Sequence, residues 1–267
     1  MVWALRSGVD HLHLVADAEH APGLARRTAD IAGLHVDVLA VDGVDLRPAT
    51  ASAVEPAPEV DRLAWELAAI ISEAGARPVD DHGRIVAEVA GLEVARIVDG
   101  EDGAATIEVG VGEADRELHG LVHSNMDSDT ALRRAVAMVA AERRKGSMHP
   151  LSRMARERWL RSMLIDQPEL VGAAELTPVP PLVSRSTVLG NVPIAAVGTR
   201  PNGSSVVVVC STGIDLDVVP EAADYRRRHD PDADLVIVVP ERDRHATTEI
   251  LVAVTPRTEL LTVAAPW

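Results

Sequence analysis

The residues GLEVARIV (91–98) and ATIEVG (105–110) form the two arms of a predicted β-hairpin, and this pattern decides the fold. A second hairpin of the same layout follows, with VPIAAVG at 192–198 and VVVVC at 206–210. Each pairs an apolar, β-branched run with another across a polar turn that contains glycine, which is the usual signature of a hairpin. The sequence therefore predicts the same β-hairpin unit at two places in the chain.

Segments with helical spacing flank both hairpins. A helix predicted over residues 60–74 carries Trp65 and precedes the first hairpin, and a helix that ends near residue 165 carries Trp159 and precedes the second. Apolar spacing also predicts helices over residues 113–123, 130–144, 220–228 and 247–254, with Ser128 or Asp129 as the cap of the second of these. Fully apolar runs at 206–209 and 235–239 are typical of strands that are buried on both faces, which favours a mixed sheet between helices.

The order helix, acid-bearing hairpin, helix resembles the PD-(D/E)XK nuclease superfamily, and the second half is most similar to a RecB-type nuclease domain. The resemblance covers about residues 57–123 and 151–263 and rests on layout more than on motif letters. It implies an α/β protein of two tandem α/β/α units with mixed sheets and a restriction-endonuclease-like core.

Two further observations concern domain organisation. Residues 14–42 and 208–240 both read strand, helix, strand, which favours an internal duplication, although such units resemble one another for physical reasons alone. Glycine and proline break the pattern at residues 146–150. We therefore expect an N-terminal domain at 1–148 and a nuclease-like C-terminal domain at 149–267.

Composition limits the class of protein. The chain has 267 residues, of which 47% are apolar, enough for two small α/β domains. No apolar run approaches the roughly 18 residues that span a bilayer, and Arg6 and Asp10 interrupt the position of a signal peptide. We therefore expect a cytoplasmic protein without a membrane partner. The single cysteine, Cys210, excludes an internal disulfide and a cysteine-based zinc site.

The first hairpin keeps part of the implied catalytic set. In the superfamily that this chain resembles, carboxylates on the hairpin arms hold Mg²⁺ or Mn²⁺ while a lysine supports the charge on the phosphate. Glu93 matches the first acid, Glu108 matches the second, and Gly110 stands at the lysine position. Glu88 would be a further metal ligand, and Arg116 would replace the missing cation. The alternative interpretation, at least as well supported, makes Glu93 and Glu108 solvated residues of a half-exposed strand.

The second hairpin has none of the residues of the implied catalytic set. Pro193 stands at the first acid, Val208 or Val209 at the second, and Ser211 or Thr212 near the lysine position. No metal site can be built from these side chains. The C-terminal domain is therefore predicted to lack catalysis, and any nuclease activity would belong to the N-terminal domain.

Charge is unevenly distributed. Residues 133–161 hold nine basic and two acidic residues, a charge of +7, which leaves −22 for the rest of a chain of net charge −15. Arginine pairs bidentately with phosphate, so this segment favours contact with DNA or RNA. The residues predicted to bind nucleic acid are Arg143, Arg144, Lys145 (the only lysine), Arg153, Arg156 and Arg158. An interdomain salt-bridge layer is an equally supported alternative.

Other clusters give weaker indications. Four acids, Asp215, Asp217, Glu241 and Asp243, follow two apolar strands and would lie together if those strands are parallel neighbours, although loop and capping roles are the commoner reason for such residues. Two histidine pairs share a face of their elements: His119 with His123, and His11 with His13.

These observations predict a weakly catalytic or non-catalytic, nucleic-acid-directed protein with a PD-(D/E)XK-like fold. The alternative is a catalytically dead scaffold for protein–protein contact or self-association. A small-molecule binder that uses the four acids is a third hypothesis. An enzyme would need Glu93 and Glu108 to converge on a metal ion, whereas a scaffold would not.

Overall fold

The computed structural model describes residues 1–100, 104–112, 127–183 and 192–267, which form an α/β protein with three β-sheets. The helices in these ranges are α1 (Val2–Arg6), α2 (Ala21–Thr28), α3 (Arg62–Glu73), α4 (Ser128–Glu142), α5 (Arg156–Asp166), α6 (Val218–His229) and α7 (Ala246–Ala253). The strands are β1 (His11–Asp17), β2 (His35–Asp42), β3 (Asp45–Pro48), β4 (Arg77–Asp80), β5 (Ile85–Val89), β6 (Leu92–Asp99), β7 (Ala105–Val109), β8 (Glu175–Pro178), β9 (Ile194–Thr199), β10 (Ser205–Cys210), β11 (Asp234–Pro240) and β12 (Thr258–Val263).

The first sheet has three strands in the order β1-β2-β3. The strands β1 and β2 run parallel with α2 between them along the chain, and β3 returns antiparallel to β2. Helix α2 packs on one face of this sheet. Residues on β1 alternate between exposed and half-buried, so its odd-numbered residues point to the other, open face.

The second sheet is an antiparallel meander in the order β4-β5-β6-β7, packed against α3 and α4. Strands β6 and β7 are the first predicted hairpin. On β6, Ala95 pairs with Ala87 and Glu93 pairs with Glu88, so Val94 is an extra residue that forms a bulge. Because Val94 and Ala95 are both fully buried, the bulge shifts which residues of β6 face outward.

The third sheet has five strands in the order β12-β11-β10-β9-β8 and contains the second predicted hairpin, β9–β10. Strands β8, β9 and β10 are antiparallel, whereas β10, β11 and β12 are parallel. Alternate residues of β10 enter two separate cores: Val207 and Val209 face one, and Val206, Val208 and Cys210 face the other. The prediction of strands buried on both faces is confirmed for β10 and β11.

The predicted α/β class is confirmed at this level. The third sheet is mixed, as predicted, but the four-stranded sheet is antiparallel throughout, because its strands follow one another through tight connections and need no crossover. Helix α4 begins two residues earlier than predicted, and its cap is the Asp127 side chain rather than Ser128 or Asp129; this side chain accepts from the backbone N–H of Thr130. The helix predicted over residues 113–123 lies outside the described residues. No helix in the described ranges is long and apolar enough to cross a bilayer.

Candidate functional site

Three of the buried charges in the described residues, together with one partly buried aspartate, form a cluster between the second and third sheets. Glu88 on β5 accepts hydrogen bonds from Arg158 Nη1 (2.9 Å) and Arg161 Nη2 (2.8 Å), both on α5. Arg158 Nη2 also donates to Asp81 Oδ1 at 2.8 Å. The side chains of Glu88, Arg158 and Arg161 are between 1% and 5% exposed. We call these four residues the central ion cluster.

Burial and pairing act in opposite directions on this cluster. Burial alone would raise the pKa of Glu88, but the two guanidinium groups and their hydrogen bonds outweigh it and hold that pKa below its usual value. Burial likewise opposes the charge on Arg158, yet Glu88 and Asp81 raise its pKa above the ordinary arginine value. Glu88 and Arg158 are therefore both ionised at neutral pH.

A close backbone contact fixes the position of the central ion cluster between α5 and the second sheet. Gly91 follows Ala90 in the turn between β5 and β6, and a Cβ at Gly91 would lie 2.2 Å from the backbone carbon of Arg158. The Arg143 guanidinium crosses the same junction, where its Nε donates to Ala90 O (3.0 Å) and its Nη1 to Leu151 O (2.7 Å). It also lies 4.3 Å from the centroid of the Trp159 ring. The start of α5 is thus fixed against the second sheet by backbone as well as by charge.

The acids predicted on the first hairpin have separate surroundings. Glu88 belongs to the central ion cluster, Glu93 accepts a hydrogen bond from Arg96 Nε at 3.0 Å, and Glu108 is exposed. The residue that pairs with Glu108 across the hairpin is Arg96 rather than Glu93, because the turn that joins Asp99 to Ala105 sets the register of the two arms. Among the residues that the structure describes, Glu88, Glu93 and Glu108 do not form a metal-ligand group; the group that does lies on β1 and β2. Arg116 falls outside the described residues.

The corresponding positions of the second hairpin are core residues. Pro193 is buried, and its carbonyl accepts a hydrogen bond from Tyr225 Oη at 3.0 Å. Val208 and Val209 are fully buried in opposite faces of the sheet. Thr212 donates to Glu157 Oε2 at 3.3 Å, inside the protein. No carboxylate stands where the resemblance would place a metal ligand on β9 or β10.

Comparison with known proteins adds no family to these observations. No model of a known protein family, no curated protein and no solved structure matches this chain. The functional argument therefore rests on the geometry of this molecule.

The six predicted nucleic-acid-binding residues divide into two groups. Arg143 and Arg158 are buried, and backbone carbonyls and carboxylates engage their guanidinium groups. The other four are at the surface: Arg144, Lys145 and Arg153 are exposed, and Arg156 is half-buried. In the described parts of the chain, no carboxylate forms an ion pair with any of these four. We call them, together with the exposed Arg242, the basic surface cluster.

Arg156 connects this cluster to the third sheet. Its guanidinium carbon lies 5.1 Å from the centroid of the Trp267 ring, and its Nε is buried without a hydrogen-bond partner among the described residues. Burial lowers the pKa of Arg156, and the nearby charges of Arg242 and Arg153 lower it further, while Asp243, which pairs with Arg242 at 3.5 Å, and Glu157 act in the opposite direction. Three guanidinium groups are therefore close enough to repel one another, an arrangement that an anion would stabilise.

The four acids of the third sheet lie where they were expected. Strands β10 and β11 are parallel neighbours, so the loops that follow them share one edge of the sheet. Asp243 Oδ2 accepts from Gly213 N (2.8 Å), and Asp215 Oδ1 accepts from Asp217 N (2.9 Å), both of which are loop-forming contacts. Burial raises the pKa of the nearby Glu221 to about 7, since it outweighs the opposing effect of Arg27, and Asp215 and Asp217 raise it further.

Sequence reasoning did not anticipate the central ion cluster. Arg161 was counted only as part of a basic segment, and Asp81 was not singled out. The partners are separated by 70 to 77 residues along the chain. A salt-bridge layer between the halves was one of the two interpretations of the basic segment, and Arg158 and Arg161 have that geometry, but no pattern in the sequence identifies Glu88 as their partner.

Proposed function

We propose that this protein is a non-catalytic, nucleic-acid-directed member of the PD-(D/E)XK-like class, and that the basic surface cluster is its phosphate-binding site. The observation that carries the proposal is the set of four cations, Arg144, Lys145, Arg153 and Arg156, that have no carboxylate partner in the described part of a strongly acidic chain.

The topology of the third sheet supports the fold assignment. Helix α5 is followed by the antiparallel strands β8, β9 and β10, then by α6, and then by β11, parallel to β10. This is the order of elements expected from the resemblance to a nuclease core. The second sheet lacks a parallel strand, so it supports the duplication hypothesis less well.

The chemistry of the hairpins supports the absence of catalysis. Metal-assisted phosphoryl transfer needs carboxylates that converge on a cation. The third sheet offers Pro193, Val208 and Val209 at those positions, and Glu88 in the second sheet is already neutralised by two arginines. Binding of Mg²⁺ or Mn²⁺ by Glu88, Glu93 and Glu108 remains a prediction that this proposal does not use.

Electrostatics support the binding site. A basic patch in a chain of net charge −15 attracts phosphate locally, while the acidic remainder repels nucleic acid elsewhere. Arginine contacts phosphate through two parallel N–H donors, and an arginine next to a tryptophan ring also offers a surface on which a base stacks. The buried, unpartnered Nε of Arg156 is consistent with a site that is completed by an anion.

A charge-reversal experiment tests the proposal. The variant Arg144→Glu/Lys145→Glu should bind labelled single-stranded DNA more weakly. The slope of log affinity against log salt should fall by about 1.4, since each of the two lost phosphate contacts removes about 0.7 on single-stranded DNA. The control, Arg47→Glu/Arg62→Glu, makes the same change of charge at exposed sites that are paired with Asp42 and Glu66. If both variants weaken binding equally, net charge rather than this cluster determines binding, and the proposed site is wrong.

A non-catalytic scaffold for protein–protein contact or self-association is the second candidate. It is favoured by the open face of the first sheet, where Val15, Val41 and Leu46 are between 39% and 55% exposed and Val41 pairs with Leu46. If no nucleic acid binds at low salt, the scaffold becomes the better account. Substitution of Leu46 by Asp should then abolish the protein contact, whereas Met138→Asp on α4, also 52% exposed, should not.

A further inference from the structure

The amino-terminal ends of β1 and β2 carry a group of side chains that the proposed function does not use. The strands are parallel, and His11 pairs with His35 while His13 pairs with Asp37. All four side chains therefore project from the open face of the first sheet, on the side opposite α2. They are between 42% and 69% exposed, so an ion from solvent can reach them.

Their polar atoms converge on one carboxylate. Asp37 Oδ2 lies 2.7 Å from His11 Nε2 and 3.5 Å from His13 Nδ1, and its other oxygen, Oδ1, lies 3.3 Å from His35 Nε2. One ligand atom from each of His11, His13 and Asp37 falls within 4.8 Å of the others. The His11 ring centroid is 4.3 Å from that of His13 and 4.5 Å from that of His35.

These separations suit a small transition-metal ion. In a tetrahedral zinc site with bonds of about 2.0–2.1 Å, the ligand atoms lie about 3.3 Å apart. The 3.5 Å separation is close to that value, and the 2.7 Å hydrogen bond between His11 and Asp37 would open slightly as the metal replaces the shared proton. Two imidazoles and one carboxylate are borderline ligands, which favour Zn²⁺ and related ions over Mg²⁺ and Ca²⁺.

We propose that His11, His13 and Asp37 bind a divalent transition-metal ion of the Zn²⁺ class, and that His35, whose Nε2 lies 3.3 Å from Asp37 Oδ1, holds that carboxylate in position. Water would complete the coordination at this exposed face. His35 is a positioning residue, because an outer-shell partner of a ligating carboxylate fixes its orientation, and such partners commonly contribute 10- to 100-fold to metal affinity.

Zinc titration of the full chain, prepared without a polyhistidine tag, tests this site. Isothermal titration calorimetry, with metal analysis after dialysis, should find one tight Zn²⁺ per chain. His13→Ala and Asp37→Asn should each lower that affinity at least about 10-fold, as expected for lost ligands, and His35→Ala about 10- to 100-fold. The matched control is His20→Ala, which removes a histidine that is also paired with an aspartate, Asp17, at the other end of β1.

Two results would overturn the proposal. One is the absence of stoichiometric Zn²⁺ binding by the unaltered chain. The other is an affinity that falls as far in His20→Ala as in His13→Ala, which would place any bound zinc elsewhere. Circular dichroism of each variant checks that these exposed substitutions leave the fold intact, and zinc-dependent shifts of the imidazole resonances of His11 and His13 would identify the ligands directly. None of these readouts depends on nucleic-acid binding.

Discussion

Replacing Glu88 by glutamine should be among the most destabilising conservative changes in this chain. Glutamine keeps the shape of the side chain but removes the charge that neutralises Arg158 and Arg161. Arg158 keeps Asp81 as a partner, whereas Arg161, 1% exposed, loses the carboxylate with which it pairs in the described structure. Removing one partner from a buried ion pair costs about 3–5 kcal/mol, a large part of a typical stability of about 5–15 kcal/mol.

Urea unfolding, followed by circular dichroism, measures this effect. With a slope of about 3 kcal/mol per molar urea, the midpoint for Glu88→Gln should fall by roughly 1–2 M. The control Glu66→Gln, on α3, removes an exposed pair with Arg62, four residues away, and should cost no more than about 1 kcal/mol. If Glu88→Gln does not fold, Asp81→Asn is the milder test, because it leaves Arg158 paired with Glu88.

The same cluster gives a dependence on pH. The pKa of Glu88 is depressed in the folded state, so its contribution to stability is fully present above its usual value of about 4.5 and is lost as pH falls through the lower, folded value. The unaltered protein should therefore lose stability in acid below about pH 4.5 more steeply than Glu88→Gln. A Glu88→Gln variant within 1 kcal/mol of the unaltered protein at neutral pH would refute the reasoning.

Three further outcomes are expected. Gly91→Ala should destabilise the protein much more than Gly203→Ala, although both glycines have positive φ. A Cβ at Gly91 would meet the backbone of Arg158, whereas a Cβ at Gly203 would enter open space, and urea midpoints compare the two variants. Cys210 should resist thiol reagents in the native protein and react fully in urea, since burial is complete and raises its pKa to about 12; a colorimetric thiol assay shows this. Glu221→Gln should be more stable than the unaltered protein above pH 7 but not below pH 4.5. The reason is that burial raises the pKa of Glu221 in the folded protein, so the unaltered protein loses stability as pH rises from 4.5 through about 7. Thermal melts across that pH range test this prediction.

Strands with strong apolar patterns were predictable from the sequence, and short edge strands were not. The hairpins β6–β7 and β9–β10 and the buried strand β11 were all predicted. Strands β3, β4, β5 and β8 were not. Of these, β3, β4 and β8 each contain a proline and lie at the edge of a sheet, where a missing N–H donor is tolerated.

The candidate site was only partly predictable from the sequence, because its geometry depends on contacts between distant parts of the chain. Charge counting found the basic segment, but it could not separate the residues that turn inward, Arg143 and Arg158, from those that stay at the surface. That division depends on the close approach of α5 to Gly91 and on the acceptors that Arg143 and Arg158 reach there, which are tertiary features. The histidine group has the same character: His11 and His13 share a strand, but the pairing with β2 that brings Asp37 beside them is set by sheet register.

The most direct test of the proposed function is fluorescence anisotropy of labelled single- and double-stranded DNA titrated with the full chain in Mn²⁺, followed over time at low and moderate salt. The account predicts a rise in anisotropy that weakens with salt and then stays constant, since phosphate binds but no bond is cleaved. No binding at low salt would contradict the nucleic-acid assignment. A signal that decays with time in the unaltered chain, but not in Glu108→Ala, would contradict the absence of catalysis.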